Sequence, residues 1–136
     1  MMSKSAIYTA NTSTQDVAID GIINPGTVVR RYGPNLTLSG NAIQLDGAGY
    51  YDIDASFVVA PAAAGNVTVT MYKDGILVQG ATSSATVAAG DDSVTLNISA
   101  LVREFCNCCE GLSNLTFVLS ENASTVTNVA IVVQKL

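Results

Sequence analysis

Apolar and polar residues alternate through most of this chain, and the longest such run lies between Gly49 and Pro61. At a period of two, Tyr51, Ile53, Ala55, Phe57 and Val59 fall on one side, and Tyr50, Asp52, Asp54, Ser56 and Val58 on the other. Side chains alternate across a strand, so the pattern predicts a long strand with one face in a core and one mainly polar face. Gly49 and Pro61 punctuate its ends.

The same reading extends to the rest of the chain. Ala6–Ala10, Asp16–Ile19 and Thr27–Tyr32 read as early strands, with Asn24-Pro25-Gly26 and Gly33-Pro34-Asn35 as turns. Leu36–Leu38 and Ala42–Leu45 are short strands split by Ser39-Gly40-Asn41. After the small-residue loop Ala62–Gly65, Val67, Val69 and Met71 alternate with Thr68, Thr70 and Tyr72. Asp74-Gly75 then marks a tight type I′ hairpin into Ile76-Leu77-Val78. Ala81–Val87, rich in Ser and Thr, reads as an edge strand, and Val94–Leu101 carries the cleanest alternation in the chain. Leu115, Phe117 and Leu119 supply another inward face.

The last strand, Val126–Lys135, is apolar on both sides: Val129, Ile131 and Val133 point one way, Ala130 and Val132 the other. A strand buried on both faces lies between the core and something else. In a chain this short a neighbouring subunit is the natural candidate, which makes Ala130 and Val132 candidate interface residues. No window has a helical period. About ten short strands with regular turns predict an all-β, two-sheet antiparallel sandwich, most simply a jelly roll. Nothing marks a second domain, so residues 1–136 are read as one, with 1–5 as a disordered lead-in.

Composition turns this sandwich into an expected oligomer. Only 12% of residues are charged, 6 Lys or Arg and 11 Asp or Glu, where ordinary soluble domains carry about 25%. Spread over the roughly 6,700 Å² expected of a folded monomer, that is about one charge per 400 Å². The mean hydropathy is +0.37. A surface so poor in charge is best explained if part of it is covered by other copies. The net charge of −5 argues against nucleic-acid or anionic-membrane partners, and Arg30-Arg31 is the single basic pair. No stretch approaches the ~20 apolar residues of a membrane span, and the N-terminal residues lack a signal-peptide core. The Asn-X-Ser/Thr triplets at Asn11, Asn35, Asn66, Asn97, Asn114 and Asn122 read as strand-edge Asn beside strand-forming Ser and Thr rather than as glycosylation sites.

The chain has no His, which removes the commonest general base, nucleophile activator and metal ligand. Asp52 and Asp54 share a strand face about 7 Å apart, a spacing some hydrolases use. It is also what a solvated strand face looks like. Around a symmetry axis the same carboxylates from several copies could bind a cation such as Ca²⁺. Cys106-Asn107-Cys108-Cys109 is the chemically unusual stretch, and three thiols cannot all pair within one chain. A reduced loop, a soft-metal site shared between copies, and intersubunit disulfides all remain open for Cys106, Cys108 and Cys109. Beyond such a structural metal ion, no cofactor is expected. Tyr8, Tyr32, Tyr50, Tyr51 and Tyr72 could stack on a sugar, but packing is the simpler use of most of them.

Three stretches occur in an order that resembles one family. Gly47-Ala48-Gly49-Tyr50-Tyr51-Asp52-Ile53 is similar to the Pro-Gly-X-Tyr-Tyr-X-apolar strand of the tumour-necrosis-factor and complement globular-head superfamily. Val67–Lys73 with Asp74-Gly75 resembles its strand and tight turn, and Gly90-Asp91-Asp92-Ser93-Val94-Thr95-Leu96 its Gly-Asp-X-Val-X-Leu strand. The likeness covers about Ala42 to Leu136. It implies a ten-stranded jelly roll forming a compact trimer, with the terminal strand near the threefold axis. Collagen-like spore-surface proteins and various bacteriophage fibres end in such a domain. This chain differs from them in lacking a Gly-X-Y stalk or coiled coil, and resembles small standalone proteins of phages and prophages of Gram-positive hosts.

The expectation is therefore a non-enzymatic structural protein, a homotrimeric capsid decoration or head-fibre component. It would be assembled in the host cytoplasm and displayed on the virion surface, bound to a capsid protein. The alternative is a receptor- or glycan-binding trimeric tip, with a host-surface glycan as partner. Residues 6–33 precede the recognisable module and are the candidate docking segment. On that reading, removing residues 1–20 abolishes attachment and leaves the trimer intact.

Overall fold

A computed structural model describes residues 4–104 and 112–136. The described residues form eleven strands: β1 (Ser5–Asn11), β2 (Gln15–Val17), β3 (Thr27–Tyr32), β4 (Leu36–Ser39), β5 (Ala42–Asp46), β6 (Gly49–Pro61), β7 (Gly65–Lys73), β8 (Ile76–Val87), β9 (Val94–Glu104), β10 (Leu112–Ser120) and β11 (Ser124–Lys135). They build two antiparallel sheets. One runs β3-β1-β11-β6-β9, with β2 paired to the start of β11; the other runs β4-β5-β10-β7-β8. This is the all-β sandwich expected, and β6 has the bounds its punctuation predicts. No helix among the described residues is long and apolar enough to cross a membrane.

The alternation translates directly into burial. Tyr51, Ile53, Ala55, Phe57 and Val59 are all buried and face the inner residues of the second sheet, among them Ile43, Leu45, Val69, Met71, Leu115 and Leu119. At the centre, Phe57 meets Phe117 across the sheets, ring centroids 5.2 Å apart and planes tilted by 54°, a separation at which aromatic rings attract. In β11 the inward parity changes along the strand: Val126 is buried, and so are Val129, Ile131 and Val133. The pairing with β6 slips between Val126 and Asn128. A bulge at Thr127 adds one residue and moves the odd-numbered side chains inward.

Four differences from the sequence reading have local causes. Ile76–Val78 and Ala81–Val87 form one strand, β8, because Gly80 takes φ = 84° at the register break opposite β7 and lets the strand bulge without ending. Thr68 and Thr70 are buried although the alternation puts them on the outer face. Their hydroxyls are satisfied by Ser84, Glu121 and Thr82 on that face. The lead-in ends sooner than expected, since β1 begins at Ser5, which is only 1% exposed.

The fourth difference is the largest. Residues 6–33, which precede the motifs that carry the resemblance, are built into the sandwich. They supply β1, β2 and β3; β1 sits between β3 and β11 in the sheet, and Ile7, Val17 and Ile23 belong to the core. The Asp74-Gly75 turn matches expectation, with φ = 53° and 81°, both positive as a type I′ turn requires. Asp74 also ties the hairpin to β10: its amide donates to Asn114 O, and its Oδ1 accepts from the Asn114 amide, both at 2.8 Å.

Candidate functional site

Register decides which outward side chains meet on the six-stranded sheet. Tyr8 of β1 pairs with Val132 of β11, Val132 with Asp54 of β6, and Asp54 with Ser99 of β9. The next row is Ala10, Ala130, Ser56 and Asn97. Tyr8, Ala130 and Val132 make the apolar part of a shallow trough of about 460 Å³, walled by Asp54, Ser56, Asn97 and Ser99. The middle of the sheet thus presents a small-residue, apolar strip to solvent. Ala130 and Val132 lie half-buried at its centre, where the sequence expects an interface.

Asp54 is engaged within this face, its Oδ1 accepting a hydrogen bond from the Ser99 hydroxyl at 2.7 Å. Asp52 lies one row away, opposite Gln134 and Leu101. The two carboxylates share a face as predicted. Among the described residues, no group of three or more Cys, Asp or Glu side chains could hold a metal ion, so a cation there would need carboxylates from other copies. Cys106, Cys108 and Cys109 lie outside the described residues, between β9 and β10 in the sequence.

A second apolar surface was not singled out from the sequence. β8 and β9, the edges of the two sheets, lie against each other along one side of the sandwich. Near the Asp74-Gly75 turn they leave a groove of about 310 Å³ lined by Ile76, Leu77, Val78 and Leu101, with Lys73 and Arg103 at its polar rim. Ile76 is 72% exposed, Leu77 55% and Leu101 57%. Beside it, the Arg103 guanidinium lies 5.6 Å from the centre of the Tyr50 ring, a cation–π contact. The available signal was the break in alternation at Ile76-Leu77-Val78, three apolar residues directly after a tight turn. At least one of them must face outward.

Polar groups close that end of the sandwich. The buried Tyr51 hydroxyl donates to Gly47 O at 2.8 Å, with Asp46 O at 3.3 Å. Glu104 is buried beside it, with Lys73 Nζ 3.5 Å from its Oε1. Burial, with smaller contributions from the Glu104 and Asp46 charges, pushes the Tyr51 phenol up to about 12. A folded-state value above the unfolded one favours the neutral phenol, so this stabilisation is complete below pH ~10 and is lost as pH rises through about 12. In denaturant unfolding at a series of alkaline pH values, Tyr51→Phe should lose about 1 kcal/mol near neutrality, the worth of its hydrogen bond. It should also lack the alkaline decline. A variant that declines in parallel with the parent would place the titrating group elsewhere.

No protein-family model and no curated protein sequence matches the chain. Solved structures do match over nearly all of it. The Eiger TNF of S. frugiperda superposes with a TM-score of 0.70 at 11% identity, covering 98% of this chain and 91% of that one. The PRD1 vertex protein P5 gives 0.65 at 21% identity, covering 97% and 96%. The globular domain of zebrafish complement 1qA gives 0.65 at 7% identity, covering 96% and 94%. Each of these alignments takes in nearly the whole chain, so the likeness extends to residues before Ala42.

Proposed function

From a jelly roll of the tumour-necrosis-factor/C1q type, we propose that the chain is the subunit of a homotrimer serving as a non-enzymatic structural component of a bacteriophage particle, as capsid decoration or head fibre. The observation that carries the assembly is the pair of unlike apolar surfaces, the strip around Ala130 and Val132 and the β8/β9 groove around Ile76, Leu77 and Leu101. A head-to-tail contact covers two different patches at once, each copy's groove side meeting its neighbour's sheet face. Such contacts leave no surface unused when they close into a ring. The resemblance supports three as the number. The scarcity of charge supports the burial, and the likeness to a vertex protein supports the particle.

A native mass spectrum of the untagged protein, with and without reductant and chelator, tests the assembly. A trimer is expected. Mass lost to chelator would assign a metal to Asp52 and Asp54 or to the three cysteines, and reductant-sensitive covalent multimers would assign the cysteines to bridges. A stable monomer would sink the proposal. For the particle, the purified protein should bind capsids lacking it at a defined stoichiometry, and failure to do so would remove the virion role.

A second reading, a receptor- or glycan-binding tip, draws on the end of the sandwich opposite Ser5 and Lys135. There the Ala62 amide donates to Ala123 O at 2.9 Å, the Asp91 amide to Pro61 O at 2.7 Å, and Asn122 Nδ2 to Ala63 O at 2.8 Å. Three loops are thus tied into one exposed platform, the geometry a recognition tip needs. Saturable binding to host cells or to a glycan panel would favour this reading, and no binding across the panel would count against it.

A further inference from the structure

Strand β3 is unlike the other sheet edges. All six of its residues, Thr27 to Tyr32, are exposed, and among the described residues it pairs with β1 alone, at the far end of the sheet from β9. β8 and β9 shield each other, and β4 has only four residues. The free side of β3 therefore offers a row of backbone N–H and C=O groups to solvent. Edges of this kind are normally blunted; here Arg30, Arg31 and a one-residue bulge at Val29 deter uncontrolled pairing, while Val28, Val29 and Tyr32 stay exposed for a matched partner. Pro25 and Pro34 bracket the strand, and because proline cannot donate they confine any added pairing to this short stretch.

Charge singles out the occupant. Arg30 and Arg31 place two of the chain's 6 basic residues on this strand, in a protein of net charge −5. The Arg31 guanidinium is held in place, its Nε donating to Leu36 O. Arg30 lies opposite Tyr8 on the outer side of the sheet. We infer that β3 is a docking edge for an extended acidic peptide segment of a partner protein, which adds to the six-stranded sheet as a further strand. Backbone pairing supplies the contact, Val28, Val29 and Tyr32 supply apolar cover, and Arg30 with Arg31 selects carboxylates in the incoming strand. The edge borders the strip, since Arg30 lies opposite Tyr8, but the pairing side of β3 faces away from β1, and the groove lies at the other end of the sheet.

The test uses the full-length protein in its native oligomeric state and a labelled, end-capped hexapeptide of alternating valine and glutamate. Two controls are the same peptide with lysine for glutamate, and one with a central proline. The glutamate peptide should bind saturably by fluorescence anisotropy and slow amide hydrogen exchange within Thr27–Tyr32, while both controls bind at least about tenfold more weakly. Arg30→Glu, at an exposed position, should reverse the preference between the glutamate and lysine peptides. No binding, equal binding of the two charged peptides, an unchanged preference in Arg30→Glu, or protection confined to strands other than β3 would each overturn the inference.

Discussion

Val132→Arg should yield a folded monomer. Val132 faces outward at the centre of the six-stranded sheet, between Tyr8 and Asp54 in register. In the isolated subunit an arginine there keeps its charge in water and has the Asp54 carboxylate on the neighbouring strand, so the fold tolerates it within about 1 kcal/mol. In a trimer the same guanidinium is carried into an apolar contact on every subunit. Even with Asp54 beside it, the guanidinium must be stripped of water and forced into packed apolar surface there, at a cost of about 3–5 kcal/mol, enough to weaken association by two to four orders of magnitude, and the ring repeats the penalty at each contact. Light scattering should report the monomer mass at concentrations where the parent gives the expected trimer mass, with an unchanged far-ultraviolet circular dichroism spectrum. A variant that stays trimeric would show that this face is not the interface. An unfolded variant would call for the milder Ala130→Ser, which should loosen the trimer without emptying the core.

Removing residues 1–20 should destroy the fold, the opposite of what the sequence reading expects. The deletion takes away β1, which is hydrogen-bonded on both sides within the sheet, and β2, which pairs with β11. It uncovers the inner face that Ile7 and Val17 help to fill, and it strips β11 of a partner along the run from Val129 to Lys135. Ile7→Ala alone should cost about 2–5 kcal/mol, a large share of the 5–15 kcal/mol by which domains of this size are stable. The truncated chain is expected to be insoluble or to lack a cooperative unfolding transition. A soluble, cooperatively folding trimer without residues 1–20 would mean that β1 is dispensable to the core, against its place in the sheet.

The sequence was most informative where one strand's own alternation decides the outcome. The inner row of β6 from Tyr51 to Val59, the outward Asp52 and Asp54, the tight turn at Asp74-Gly75 and the doubled apolar faces of β11 are all read from spacing, because side-chain direction in a strand has a period of two whatever lies alongside. The same spacing is silent at Gly80 and Thr127. There an irregularity set by the pairing partner, several residues long around Gly80 and one residue at Thr127, carries the strand onward in the first case and switches its inward parity in the second.

What residues 42–136 resemble also misled about residues 6–33. A motif-based likeness begins where the motifs begin, and β1 to β3 carry none, although they complete the same sandwich. The tertiary structure decides what the period cannot encode, which strand is neighbour to which. β11 lies between β1 and β6, so Val132 stands beside Tyr8 on one side and Asp54 on the other, positions more than 75 residues away in each case. That order places Ala130 and Val132 in mid-sheet and leaves β3 uncovered at its margin. It also lays β8 along β9, so that Ile76 and Leu77 meet Leu101. Alternation determines the side of the strand a residue takes. The company it keeps there is set by burial shared among strands distant in sequence, and that exists only once the two sheets have closed on each other.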